Sequence, residues 1–146
     1  MNMTKRFVFL LVMLLTWGCK QDELHHPIVG EWRWVSSTGG IAGWTLKPKN
    51  NDEHILHFTE DGIFDVYTNS VLFYSGSYRL TGTESIYSGS QELSLVIDRF
   101  VRHKKDTVNY YPYFPMNGTI IRKFSNKELE LADNCYDCYG HSFLRK

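Results

Sequence analysis

The cysteine and histidine side chains are the first residues in this sequence whose chemistry can be considered. Cys135 and Cys138 are three residues apart in a turn-like segment, which brings two Cα atoms within the range of a disulfide. Two free thiols are one alternative to the disulfide. A metal site is another, because His141 follows and could act as a third ligand beside the two cysteines. Zinc motifs need a fourth ligand and a second spaced pair, and Tyr139 stands where haem attachment requires histidine. The spacing favours a Cys135–Cys138 disulfide.

Other catalytic signatures are missing from the sequence. It contains no Gly-x-Ser-x-Gly elbow, no phosphate-binding loop and no metalloprotease helix motif. Lys plus Arg number 16, as do Asp plus Glu. This balance removes the usual electrostatic drive toward nucleic acid, which comes from clustered basic residues. We therefore expect a protein that is not an enzyme, needs no cofactor or metal, and does not bind nucleic acid.

The amino terminus has the pattern of a cleaved export signal over residues 1–18. Lys5 and Arg6 supply the positive charge, residues 7–15 are apolar, and Gly18 precedes Cys19. The segment resembles the lipobox of bacterial lipoproteins, in which the new amino-terminal cysteine carries acyl chains. The resemblance implies that Cys19 attaches the protein to a membrane. An ordinary secretory signal with an incidental cysteine is the alternative.

Residues 19–27 are expected to form a tether between the anchor and the domain. The Lys20–Glu23 stretch carries an acidic pair directly after Cys19, which is similar to the surface-export tags of some lipoproteins; a solvated linker is the plain alternative. These features imply an outer-membrane or cell-surface location. Outside the cytoplasm, with Cys19 acylated, the two remaining cysteines form an even pair, which strengthens the disulfide prediction.

The remaining residues, 28–146, have the alternation of β-strands. Gly30, Trp32 and Trp34 fall on one face of the first predicted strand, whereas Glu31 and Arg33 fall on the other. Similar runs recur between Asp-Gly and Asn-containing turns, without a convincing helix, repeat or second domain. Two tryptophans on one face require a deep apolar interior. The pattern predicts an all-β, up-and-down antiparallel barrel of about eight strands, in which the first strand meets the last.

Two segments do not follow the strand pattern. Residues 36–51 read as a long Gly-rich loop in which Ile41 and Trp44 need an explanation, either as a plug that buries them over one end of the barrel or as a lid over a pocket. Residues 99–106 are strongly basic and precede an aromatic stretch that includes Tyr113. This segment is either a solvated turn or a surface for an anionic group, a sugar or a lipid headgroup.

Several of these motifs together resemble a known family. Residues 29–34, 38–43, 58–64, 129–131 and 143–145 look like the lipocalin-like domain found in bacterial lipoproteins. The resemblance covers the whole predicted domain and implies a lipocalin-like barrel. In lipocalins the Gly-x-Trp motif places its indole against an arginine near the end of the barrel. Here it implies that Gly30 and Trp32 form that motif and that Arg145 lies over the Trp32 ring.

Two functions are compatible with this reading. The first is an anchored carrier that holds a small apolar or amphipathic ligand inside the barrel, among residues such as Trp34, Phe64, Tyr78 and Tyr113. The second is a structural or protein-interaction module whose interior is filled by its own rings, as happens in small eight-stranded barrels. The sequence favours the first of these, the carrier of a small ligand.

Overall fold

The computed structural model describes residues 28–49, 51–104 and 118–146. The predicted signal peptide, the tether and Tyr113 lie outside these residues. Within them the chain forms nine strands: β1 (Gly30–Gly39), β2 (Trp44–Leu46), β3 (His54–Phe58), β4 (Ile63–Thr68), β5 (Val71–Glu84), β6 (Gln91–Arg102), β7 (Thr119–Phe124), β8 (Glu128–Ala132) and β9 (Tyr139–Arg145).

The strands form one antiparallel sheet that closes on itself. β1 pairs with β3, the strands from β3 to β9 are hydrogen-bonded to one another in chain order, and β9 returns to pair with β1. Eight strands make the barrel, and β2 is an additional strand that pairs with the end of β1. The predicted all-β barrel of about eight strands is therefore confirmed. Closure pairs the backbone edge groups that an open sheet would expose.

Inward-facing and outward-facing side chains alternate along the strands, which gives the sheet one buried face and one exposed face. β1 illustrates this pattern. Trp32 and Trp34 are buried, whereas Glu31, Arg33 and Val35 between and beside them are exposed. A register shift between Trp34 and Ser36 in the pairing with β9 then changes the alternation. One extra residue in a strand re-aims the side chains that follow it, and here it turns Ser37 into the buried set.

The barrel interior is filled by apolar and aromatic side chains from almost every strand. Trp32, Phe58, Phe64 and Phe143 are the largest side chains that are essentially fully buried. They share one continuous core with the remaining buried members, which are Ile28, Trp34, Leu56, Val66, Tyr78, Leu95, Ile97, Leu129 and Leu131. The core therefore extends around the ring of strands.

The β4–β5 turn shows how local sequence fixes the register. Asn69 and Ser70 both have positive φ, at 49° and 63°, which is the backbone of the two-residue hairpin turns that match strand twist. The Asn69 side chain also accepts a hydrogen bond from the backbone N–H of Glu53 at 2.8 Å. This contact ties the turn to the residue that precedes β3.

The Gly-rich segment after β1 differs from the sequence-based expectation. It is a hairpin in which Gly39 pairs with Trp44, and the backbone N–H of Gly43 donates to Gly40 O at 2.9 Å. Ile41 is 93% exposed and Trp44 is 68% exposed. The expectation that this segment buries the two residues over one end of the barrel was wrong. Because Gly39 has both Trp44 and Tyr139 as partners, the hairpin projects beside the start of β9.

Candidate functional site

The interior residues considered for ligand binding are part of the packed core. Trp34 and Tyr78 are each 4% exposed, and Phe64 is 0% exposed. The Tyr78 ring packs edge to face on Phe58 with 4.8 Å between ring centroids. The structure thus brings Trp34, Phe64 and Tyr78 into one apolar cluster, and Tyr113 lies outside the described residues.

The polar atoms of these aromatic residues bond within the protein. Trp34 Nε1 donates to Ser37 Oγ at 2.9 Å, and the Tyr78 hydroxyl donates to the Thr59 carbonyl oxygen at 2.8 Å. Tryptophan and tyrosine in an interior usually find such partners. These contacts fix the two rings in the core, because moving either ring aside would leave a buried polar group without its bond.

The Tyr78 phenol predicts how stability responds to alkaline pH. Burial, assisted by the nearby Asp61 carboxylate, raises the pKa of Tyr78 to about 12, above the ordinary value of 10.0. Between these values the unfolded chain loses the phenol proton while the folded chain keeps it. We therefore expect this contribution to be fully present below about pH 10 and lost as pH rises through about 12.

Urea unfolding at a series of alkaline pH values, combined with the absorbance of ionised tyrosine, would measure this effect. Tyr78→Phe should remove from the absorbance titration a phenol that ionises near pH 12. If the titration curve of Tyr78→Phe differs from that of the wild type only near pH 10, the assignment is wrong.

A second buried cluster is polar and links β1, β7, β9 and the residue after β8. Ser37 Oγ and His141 Nδ1 are 2.7 Å apart, and His141 Nε2 lies 3.5 Å from Asp133 Oδ2. The Thr119 hydroxyl donates to Asp133 Oδ1 at 3.2 Å. All four residues are at most 4% exposed. The cluster lies where strands distant in sequence meet at the closed seam.

The order Ser37, His141 and Asp133 resembles the arrangement that activates a serine nucleophile, but its surroundings differ. Ser37 Oγ already accepts the N–H of Trp34, and its side chain is 0% exposed. A reacting carbonyl group could approach it only if the barrel opened. The geometry instead lets the Ser37 hydroxyl donate to His141 Nδ1, so that Ser37 links an indole to an imidazole inside the wall.

Removing the Ser37 hydroxyl tests this role. Ser37→Ala leaves both Trp34 Nε1 and His141 Nδ1 without the bonds seen here, and we expect a loss of about 2 kcal/mol of unfolding free energy. The neighbouring Ser36→Ala is the matched control, and we expect a change of less than about 0.5 kcal/mol. Urea unfolding of the two variants gives both values, and equal losses would contradict a special role for Ser37.

The seam between β1 and the carboxyl end of β9 has the geometry that the lipocalin resemblance implies. The Arg145 guanidinium lies over the Trp32 ring, 4.3 Å from its centroid, and Nη1 donates to Val29 O at 3.1 Å. Gly30 is essential to this approach, because a Cβ there would lie 2.4 Å from Arg145 Nη1. The glycine therefore makes room for the arginine rather than for the tryptophan ring.

The cysteines of the β8–β9 loop form a disulfide. Cys135 and Cys138 are bonded across a Cα–Cα distance of 5.6 Å. The Tyr87 hydroxyl from the β5–β6 loop donates to Asp133 O at 2.8 Å, and Asn134 Nδ2 donates to Glu84 O at 2.9 Å. These bonds hold the two loops together, and Tyr136 at the loop tip is 81% exposed.

A shallow cavity lies on the outer face of the sheet. It has a volume of about 180 Å³ and is lined by Glu31, Glu53, Ile55, Tyr67, Ser70 and Lys146. Lys146 Nζ is 3.1 Å from Glu53 Oε2. Burial and the nearby Asp65 and Glu31 carboxylates raise the pKa of Tyr67. The cavity is smaller than the roughly 300 Å³ at which small-molecule sites usually begin.

Two general properties concern metals and membranes. Among the residues that the structure describes, no group of three or more His, Cys, Asp or Glu side chains is placed to hold a metal ion. Within the same residues, no helix is long and apolar enough to span a bilayer.

Comparison with known proteins does not add a family. No family model matches the sequence, and no curated protein or solved structure matches it at a significant level. The barrel is therefore established from the structure itself, and membership of the lipocalin-like lipoproteins stays a prediction from the sequence motifs described above.

Sequence reasoning did not find the buried polar cluster. Ser37 and His141 are separated by 104 positions in the sequence. The register shift in β1 places Ser37 opposite His141, and no local sequence pattern predicts this shift. The available signal was that Asp133 and His141 continue the inward alternation of the strands on either side of the disulfide loop.

Proposed function

We propose that this protein is a lipid-anchored envelope lipoprotein whose lipocalin-like barrel is a non-enzymatic interaction module that acts through its outer surface. The observation that carries the proposal is the burial of Trp34, Phe64 and Tyr78, which are at most 4% exposed within one core. The interior of an eight-stranded barrel is either filled by its own side chains or holds one small ligand, and here the side chains that would line a ligand are packed together in the core. The geometry therefore favours this function over the carrier that the sequence first suggested.

The competing proposal is the ligand carrier, which would require the side chains of the core to move. A ligand among Trp34, Phe64 and Tyr78 would have to displace rings whose polar atoms bond to Ser37 and Thr59. Each broken buried bond costs about 1–3 kcal/mol, which the ligand would have to offset. If the side chains fill the core, these hydrogen bonds stay intact and no such free-energy cost arises.

Native mass spectrometry of the mature protein extracted from its own envelope separates the two functions. We expect one mass that equals the chain plus its acyl groups. A reproducible additional mass that survives mild extraction would overturn the filled module and favour the carrier. A Phe64→Ala variant provides the positive control, because it opens space in the core that can hold a small apolar molecule, and an added mass in this variant shows that the measurement detects a ligand inside the barrel.

The lipid anchor is supported by the order of charges, apolar residues and Gly18–Cys19 at the amino terminus. Several acyl chains on one cysteine would hold the protein on a membrane almost permanently, since each buried CH₂ contributes about 0.8 kcal/mol. Labelling of cells with a palmitate analogue should mark the wild type and leave Cys19→Ser unmarked. Equal labelling of the two proteins would refute acylation at Cys19.

A further inference from the structure

The β1–β2 hairpin places large apolar side chains in solvent. Ile41 is 93% exposed and Trp44 is 68% exposed, and Tyr136 on the disulfide loop is 81% exposed. These are the three most exposed large apolar side chains among the residues that the structure describes. We call Ile41, Trp44 and Tyr136 the apolar tip. Burial of such residues against another surface is favoured by about 25 cal/mol per Å².

The apolar tip is held together by described contacts. Gly39 pairs with Trp44 on one side and Tyr139 on the other. A Cβ at Gly39 would lie 2.1 Å from the Cys138 carbonyl oxygen, so the hairpin and the disulfide loop are in direct contact. Thr38 and Thr45 hydroxyls are 3.0 Å apart across the hairpin. The three exposed side chains are therefore presented on neighbouring, mutually braced turns.

The charge pattern distinguishes this hairpin from an ordinary surface loop. Residues 38–46 contain no Asp, Glu, Lys or Arg. The charges that follow are Lys47 and Lys49, while Asp137 lies beside Tyr136. An aliphatic side chain at the end of an uncharged turn, flanked by tryptophan, tyrosine and lysine, matches the composition of membrane interfaces.

We propose that the apolar tip is a membrane contact, with Ile41 and Trp44 entering the interfacial region of a bilayer. A protein partner fits less well, because a stable interface takes about 800 Å² from each side. Three side chains on a projecting turn offer roughly 500 Å². Entry into a bilayer surface requires only that a small convex apolar group reach it.

The proposed anchor is compatible with this contact. Residues 19–27 could extend to about 30 Å, and the ten residues of β1 span about 33 Å. Because the strands of a barrel are tilted by about 35–45° to its axis, β1 rises only about 25 Å along that axis. A tether of about 30 Å is therefore long enough for the bilayer that holds Cys19 to receive the hairpin at the far end of β1 as well. The orientation of the protein on the membrane thus rests on the proposed function, whereas the contact of the tip with lipid can be measured independently of it.

The test is quenching of Trp44 fluorescence by lipid. The full protein, purified from the membrane fraction of an expressing bacterium, is placed with phosphatidylcholine vesicles whose acyl chains carry bromine. Subtracting the emission of Trp44→Phe isolates the Trp44 signal from the other tryptophans. We expect brominated vesicles to reduce the Trp44 emission roughly by half relative to ordinary phosphatidylcholine. Equal Trp44 emission in the two kinds of vesicle would overturn the proposal.

Two isoleucine variants provide the matched comparison. Ile41→Ser should weaken the lipid contact of the tip about tenfold. Ile63→Ser removes an isoleucine that is 38% exposed at the start of β4 and should leave Trp44 quenching unchanged. Equal quenching in wild type and Ile41→Ser would also overturn the proposal. Protection of Trp44 from a water-soluble quencher in whole envelopes but not in vesicles would identify a protein partner. That result would likewise overturn the proposal.

The mass of the purified protein separates this inference from the proposed function. An acylated protein whose Trp44 is not quenched retains the lipoprotein assignment and loses the membrane contact. A protein without acyl groups whose Trp44 is quenched retains the contact and loses the anchor.

Discussion

Trp32→Ala should lower the unfolding free energy by about 4 kcal/mol, the largest stability loss that we expect from a single substitution here. The Trp32 side chain is 0% exposed, stands edge to face with Phe124 at 6.1 Å, and donates from Nε1 to Ile28 O at 2.7 Å. Its removal would leave a large cavity and would take away the ring beneath Arg145. Urea unfolding followed by circular dichroism measures the loss.

Trp44→Ala is the matched control for this experiment. Trp44 is 68% exposed, so its truncation should change the unfolding free energy by no more than about 0.5 kcal/mol. The two variants lose the same atoms from the same kind of residue, so the difference between them reports the burial of Trp32 together with its contacts to Ile28, Phe124 and Arg145. Similar losses in both variants would show that the seam between β1 and β9 does not have the importance we assign to Trp32.

Gly76→Ala should be the second most damaging change, with a loss of about 3 kcal/mol. A Cβ at Gly76 would lie 1.9 Å from the Arg99 carbonyl oxygen and 2.7 Å from Phe64 Cε1. The first of these atoms belongs to the backbone of β6, so the β5–β6 pairing would have to shift. Thermal unfolding of the variant, followed by circular dichroism, tests the expectation.

Gly82→Ala on the same strand provides the comparison for Gly76. Its nearest neighbour would be the end of the Gln91 side chain at 3.3 Å, which can rotate away. We expect a change within about 1 kcal/mol. If Gly82→Ala proves as damaging as Gly76→Ala, loss of glycine flexibility rather than close approach of β6 would be the cause.

The sequence predicted the architecture because the information needed is local. Side chains alternate along β1 and β8, and Asn69 with Ser70 and Asp61 with Gly62 mark turns between strands. Closure could also be anticipated, since an eight-stranded antiparallel sheet leaves two edges to satisfy. The resemblance to lipocalins additionally predicted the contact between Arg145 and Trp32. In the structure the Arg145 guanidinium carbon lies 4.3 Å from the centroid of the Trp32 ring.

The extent of the strands could not be predicted in the same way. The Ser36–Gly39 stretch reads as a loop from its small residues, yet it continues β1 because β9 and β2 pair with it. Arg99 and Arg102 read as part of a basic turn, yet they lie in β6 opposite Ser77 and Tyr74. In both cases a partner strand overrides local propensity, which is only a weak guide in sheets.

The candidate site was predicted only in part for a similar reason. Trp34, Phe64 and Tyr78 were assigned to the interior correctly, but the sequence could not tell whether they line a space or fill it. That distinction depends on how the rings interdigitate, as Tyr78 does with Phe58. It depends equally on partners such as Ser37, which becomes buried only through the register shift in β1.

The position of β1 has a mechanical consequence. β1 is paired with β9 along most of its length, with β3 at its beginning and with β2 at its end. A pull applied at Ile28 against a grip on the Gly40–Gly43 turn would act along the axis of β1. Such a load would strain many hydrogen bonds at once rather than separating them one by one. The strand that would follow the anchor is thereby the one best placed to resist traction.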